Sequence, residues 1–181
     1  MVDADGGTYW LTSVAEEGQR TPLEVARYLV VDEPHLFAIS AETKGRRPLR
    51  VDDSICFYVK GNVGVVAHAR IAAAPHHSDD PSVTDDRKFP YVFELEQVQH
   101  YLDAPVPIDS SLRRRLNAFA EKDPDRPWSW FVRGLHTVTK RDFGLLTGTS
   151  DSGPGRTFLA LRRAGGDRVS PAHHVCGRGG P

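Results

Sequence analysis

Between Pro48 and Ile71 the chain reads PLRVDDSICFYVKGNVGVVAHARI, and its apolar positions predict two strands joined by a tight turn. Ile55, Phe57 and Val59 alternate with Ser54, Cys56, Tyr58 and Lys60, the period of two expected when one strand face meets a core and the other does not. Gly61 and Asn62 tolerate positive φ and supply the reversal, and β-branched residues dominate the return from Val63 to Ile71. This hairpin is expected at the centre of a sheet. With Ile55, Phe57 and Val59 in the core, Tyr58 and Lys60 project from the opposite face. An aromatic plane beside a cation suits a flat or anionic ligand such as a nucleotide. A Tyr packed on a second layer beside a solvated Lys is the plainer reading of the same pair.

The remaining pattern predicts short elements on either side. Thr8 to Ser13 reads as an aromatic-rich strand. Thr21-Pro22-Leu23-Glu24 opens a helix through Tyr28 with a capping box, and Leu23, Ala26 and Val30 share its inner face. Leu36 to Ile39 is a second short strand, followed by a polar, basic loop from Ser40 to Pro48. Pro75 to Lys88 carries almost no apolar residues and is expected to be a mobile or partner-facing loop. Alternation returns at Phe89 to Leu95 and runs on toward Tyr101. Asp109 to Ala120 predicts the clearest helix, capped by Ser110 or Ser111, with Leu112, Leu116 and Phe119 at helical spacing. Leu135 to Val138 predicts a strand, and Thr139 with Asp142 opens a last helix ending near Leu146. The fold class is α+β: a small twisted sheet curled toward a barrel, with helices at its margins, since strands and helices do not alternate as a doubly wound sheet requires. The expected organisation is a flexible start over 1–7, one domain over 8–148, an edge-strand extension over 149–163 built on Thr157 to Arg162, and a disordered tail over 164–181.

Composition narrows the chemistry. Lys and Arg number 23 against 24 Asp and Glu, a net charge of −1, so any attraction to nucleic acid has to be local. Lys44, Arg46, Arg47 and Arg50 form one local basic cluster, just before the hairpin. Two cysteines, Cys56 and Cys176, make no disulfide framework and favour a reducing, cytoplasmic setting. No apolar run approaches membrane-spanning length and no secretory leader pattern opens the chain, so no membrane partner is expected. There is no P-loop, no GxGxxG and no GxSxG, which argues against nucleotide hydrolysis, dinucleotide redox work and α/β-hydrolase chemistry. His76-His77 with Asp79-Asp80 holds metal-binding residue types without metal-binding spacing, so no metal and no cofactor are expected. What stands out is an aromatic set: Trp10, Phe37, Tyr58, Tyr91, Trp128, Trp130 and Phe131. Two Trp residues in the Pro-led link Arg126 to Phe131 are costly unless they cover or line a cavity. Trp128 beside Ser129 offers a stacking plane and a hydrogen-bonding edge, as an extruded base requires.

Taken together, Thr8 to Leu11, Phe37-Ala38-Ile39 before a basic loop, Leu49 to Lys60 with Asp53 at its turn, Phe89-Pro90-Tyr91, and Trp128-Ser129 followed by Phe131 and Gly134 resemble the EVE domain, a PUA-like family related to the YTH readers of methylated RNA. Two departures stand out: Phe37-Ala38-Ile39 replaces a common Trp-Gly-Val, and Asp52-Asp53 replaces a Gly-Asp turn. The resemblance implies a PUA-like barrel whose cleft receives one modified nucleobase of DNA or RNA, bound without chemical turnover. By position it implies that Trp10 and Phe37 line that cleft, Thr12 and Ser13 supply hydrogen bonds, Tyr58 and Lys60 come from the hairpin, and Trp128 with Ser129 closes it. Lys44, Arg46, Arg47 and Arg50 then hold flanking phosphates. The alternatives are an amide hydrolase acting on modified nucleosides, with Lys60 or Ser13 as the reacting group, and a protein-interaction module using the Pro75 to Lys88 loop.

Overall fold

Alternating apolar residues form the sheet that organises the chain, and local capping chemistry fixes the helices around it. The computed structural model describes residues 7–16, 19–32, 35–43, 46–61, 63–79, 89–123 and 125–149. The expected edge strand Thr157 to Arg162, the tail from Ala164, Lys44 and most of the Pro75 to Lys88 loop lie outside those residues. Among the described residues there are seven strands, in chain order β1 (Tyr9–Val14), β2 (Leu36–Ile39), β3 (Ser54–Val59), β4 (Gly64–Ile71), β5 (His76–His77), β6 (Tyr91–His100) and β7 (Leu135–Val138). Their order across the curled sheet is β2-β6-β4-β3-β1-β7, with β5 also paired to β6. The predicted hairpin β3–β4 is therefore central. β1 joins β3 in parallel, Ser13 opposite Tyr58 and Val14 opposite Val59, and the other strand pairs are antiparallel.

Both faces of β3 are covered, which corrects the expectation of one open face. On one side Trp10, Ile55, Phe57, Val59, Phe37 and Phe93 pack with Val25, Ala26 and Val30 of α1 (Pro22–Val31). On the other, Leu11, Cys56 and Tyr58 pack with Leu112, Leu116, Phe119, Phe131, Phe143 and Leu146. Each fully buried Val, Leu, Ile or Phe among them contributes about 1.5–3 kcal/mol by leaving water. Tyr58 is accordingly buried in a second layer, and Lys60 lies exposed in the turn beyond the strand. His76 and His77, expected in a mobile loop, instead pair with Val92 and Tyr91.

Helix α1 starts where the capping box places it. The Thr21 hydroxyl accepts from the Glu24 amide, and the Glu24 carboxylate accepts from the Thr21 amide. It runs to Val31, past the expected end, and Leu23, expected on the inner face, is exposed. The expected helix from Asp109 to Ala120 is divided into α2 (Ser110–Arg113), capped by Asp109, and a 3-10 turn over Asn117–Phe119. The cause is tertiary. The Asp142 carboxylate, on α3 (Lys140–Thr147), accepts from the amides of Asn117 at 2.7 Å and Ala118 at 3.1 Å and so caps a second helical start. Leu112, Leu116 and Phe119 all remain buried across the break.

The Asp52-Asp53 turn carries two separate tasks. Asp52 takes φ +72, the left-handed region that glycine enters freely and Asp tolerates better than most residues. Its neighbour Asp53 is buried, and its carboxylate accepts from the Thr8 amide, the Trp10 indole N–H and the Arg50 amide at 2.8, 2.9 and 3.0 Å. One side chain thereby fastens β1, β3 and the approach to β3 together.

Candidate functional site

Among the described residues, cavities lie at the C-terminal ends of β1 and β3, and two of them bear on the site. The larger, about 570 Å³, lies between α1, the end of β1 and β2. Phe37 forms part of its wall and is held from behind by Phe57 and Phe93, with ring centroids 5.2 and 5.4 Å away. Tyr28 contributes a half-exposed ring from the outer side of α1, with the Arg20 guanidinium 4.9 Å from its centroid. Ser13, Ser40 and Thr43 line the same space, the last two hydrogen-bonded to each other at 3.1 Å. Ala15, Glu16 and Arg20 are exposed lining residues, and Gly134 reaches the cavity from the turn before β7. The combination is an apolar slot with hydroxyls along it and one charge of each sign among its exposed lining.

The smaller cavity, about 370 Å³, is lined by Tyr58, Gly64, Trp128 and the start of α2. The Tyr58 and Trp128 rings meet edge to face at 5.9 Å, and the Arg113 guanidinium stands 5.0 Å from the Trp128 centroid. Burial raises the Tyr58 phenol above its ordinary pKa, so it stays a neutral hydroxyl. Gly64 takes φ +116 against the chain at Val106, where a Cβ would lie 2.4 Å from the carbonyl oxygen.

Of the twelve residues singled out in the sequence, Lys44 lies outside the described residues and the other eleven are distributed over the domain. Ser13 and Phe37 line the larger cavity, and Tyr58 and Trp128 line the smaller. Trp10 and Thr12 are buried, Trp10 with its indole N–H engaged by Asp53. Lys60 and Ser129 are exposed and line neither cavity. Arg46 lays its guanidinium 3.7 Å from the Tyr91 ring centroid, and Tyr91 pairs with Ile39 of the larger cavity, so this cation sits one strand from that cavity's wall. Arg47 and Arg50 are exposed nearby in sequence. The sequence reading missed Tyr28, Arg20 and Thr43. Its available signal was an aromatic off the buried stripe of Val25, Ala26 and Val30.

Other reactive groups are quiet. Burial pushes the Cys56 thiol upward, and its Sγ donates to the Trp10 carbonyl at 3.4 Å. His77 stands edge-on to Tyr91 with Nδ1 3.1 Å from Asp79. Among the described residues no group of three His, Cys, Asp or Glu side chains could hold a metal ion, and no helix is long and apolar enough to cross a membrane.

No protein-family model and no curated protein matches the chain. Solved structures do. Human THYN1 protein, in complex with DNA containing 5-methylcytosine, is similar over 82% of this chain and 100% of its own, at 15% identity and a TM-score of 0.52. The YTH domain of the Zygosaccharomyces rouxii MRB1 protein, in complex with N6-methyladenosine RNA, is similar over 86% of this chain and 92% of its own, at 12% identity and a TM-score of 0.51. The likeness is one of fold: among the described residues this chain is a curled mixed sheet forming a half-barrel with three helices, an α+β fold.

Proposed function

We propose that the chain is a reader that holds one modified nucleobase, methylated or similarly altered, of DNA or RNA in the 570 Å³ cavity, and that it binds without chemical turnover. Within the PUA-like fold, the short motifs from Thr8 to Gly134 support an EVE-type domain. The observation that carries the reading is the pairing of Phe37 and Tyr28 around an open slot with hydroxyls at Ser13, Ser40 and Thr43. The volume falls in the range of roughly 300–1,000 Å³ typical of small-ligand sites. Two proteins of the same fold, each solved with a methylated nucleic acid, lend support.

The physics divides the work. A base stacked on an aromatic ring contributes about 1–3 kcal/mol whatever its identity. A buried methyl adds only about 0.8 kcal/mol, close to fourfold in affinity. Hydroxyls and Glu16, by pairing or failing to pair with the base edge, supply the larger discrimination. Arg20 with Arg46, Arg47 and Arg50 meets the flanking phosphates, so affinity falls as salt rises. The test is an anisotropy titration of methylated and unmethylated oligonucleotides. Tyr28→Ala, at a half-exposed helix position, should weaken the methylated probe about 5- to 150-fold and leave folding intact. Equal binding by variant and wild type would count against the cavity, and a nucleoside altered after incubation would count against binding without turnover.

A further inference from the structure

The 370 Å³ cavity has the makings of a second heterocycle site, and its position ties it to the first. Ser13 lines the larger cavity and Tyr58 the smaller, and these two are register partners near the C-terminal ends of adjacent strands, their backbones about 4.8 Å apart, so the cavities lie on the two faces of the same end of the sheet. The segment from Trp128 to Gly134 touches the smaller cavity with its first residue and the larger with its last. We propose that the smaller cavity takes the base of a neighbouring nucleotide on the strand whose modified base fills the larger one. This rests on the reading of the larger cavity as a base site.

The lining chemistry selects a planar heterocycle over a phosphate. Trp128, half-buried, presents ring surface with the buried Tyr58 ring set against it, and Arg113, anchored on the Ile108 carbonyl at 2.7 Å, braces the indole. Among the described residues the Tyr58 and Ser110 hydroxyls have no hydrogen-bond partner, although both line the cavity. They can donate to or accept from a base edge. Two carboxylates, Asp109 and Asp125, line the same space; one caps Leu112 at 2.7 Å and the other pairs with Arg114 at 3.1 Å. They repel a phosphate and accept from an exocyclic amine. Stacking needs no particular base, so this second site adds affinity and strand preference with little sequence preference.

Two variants of the full chain test it, with N6-methyladenosine and 5-methyldeoxycytidine as free nucleosides and as single modified positions in short single strands. Trp128→Ala should weaken the oligomer that wild type binds by about 5- to 150-fold and leave the corresponding free nucleoside unchanged. Tyr58→Phe keeps the packed ring, removes the hydroxyl and should weaken the oligomer roughly 2- to 12-fold. Tyr28→Ala should weaken both probes. Oligomer binding unaffected by Trp128→Ala and Tyr58→Phe overturns the second site and leaves the reader intact. A third arm follows the Trp128 indole N–H resonance as unmodified adenosine is added. If wild type binds no modified probe yet this resonance shifts, the smaller cavity is a free-nucleoside site, and both the reader and its second strand contact are overturned.

Discussion

Asp53→Ala should be among the most damaging single changes in the domain, even though it touches neither cavity. Its carboxylate accepts three hydrogen bonds, two that join segments 43 and 45 residues apart in sequence and one local bond from Arg50. Bonds to a charged acceptor contribute about 1.5–3 kcal/mol each, but water can replace the acceptor only where it can reach the donor. The Thr8 and Arg50 amides are part-buried and are re-solvated at a loss of about 1 kcal/mol each. The Trp10 indole is buried and its N–H is left unpaired, at a further cost of about 1–3 kcal/mol. The expected loss is therefore about 3–5 kcal/mol, a large share of a typical domain's stability. Equilibrium urea unfolding followed by circular dichroism reads it directly. Asp53→Asn keeps one acceptor oxygen and should lose less. In a Trp10→Phe background the orphaned donor is gone, so Asp53→Ala should cost about 1–3 kcal/mol less than in wild type. A loss below about 1 kcal/mol, or strict additivity of the two changes, would refute the account of Asp53 as the fastening of β1 to β3.

Other predictions follow from single contacts. Asp142→Ala removes the acceptor for the Asn117 and Ala118 amides and should destabilise the domain by about 2 kcal/mol in the same unfolding assay, with amide exchange rising first at those two positions. Gly64→Ala should cost more than about 2 kcal/mol because its Cβ meets the Val106 carbonyl, whereas Gly61→Ala, at φ +83 in open space, should cost about 1 kcal/mol. Burial holds the His68 and His136 pKa values below the ordinary 6.5, so the unfolded chain takes up protons first as pH falls. The stability contributed by keeping them neutral is present above about pH 6.5 and is lost below it. Melting temperature should fall on acidification through that range, and His68→Phe should flatten the slope.

Much of the fold was legible because it rests on local chemistry. The Thr21-Glu24 capping box, the period-two alternation of β3 and the Thr139 cap of α3 are each written within a few residues, and each forms where the pattern places it. What escaped the pattern was decided at a distance. Nothing between Asp109 and Ala120 announces that Asp142 will cap a second start at Asn117. Nor does alternation in β3 reveal that α2, α3 and Phe131 will cover the Tyr58 face. For the candidate site, the sequence reading gathered into one cleft residues that the structure divides between two cavities and the core. Register pairing makes Tyr58 the neighbour of Ser13, yet the side chains of Phe37 and Trp128 serve different clusters on opposite faces. Trp10 looked like a pocket wall because its buried partner, Asp53, is invisible until the chain folds. Tyr28 and Arg20 come together only across the first turns of α1.

The most direct test of the central claim is a competition for the larger cavity at its exposed lining. Ala15 is exposed there, and Ala15→Trp adds bulk where Phe37 and its core partners are not disturbed. Measured by anisotropy against a matched pair of oligonucleotides that differ by one methyl group, wild type should prefer the methylated strand. Ala15→Trp should erase that preference and leave the urea midpoint within error of wild type. A preference that survives in Ala15→Trp, with the protein equally stable, would show that the modified base is held somewhere other than between Phe37 and Tyr28.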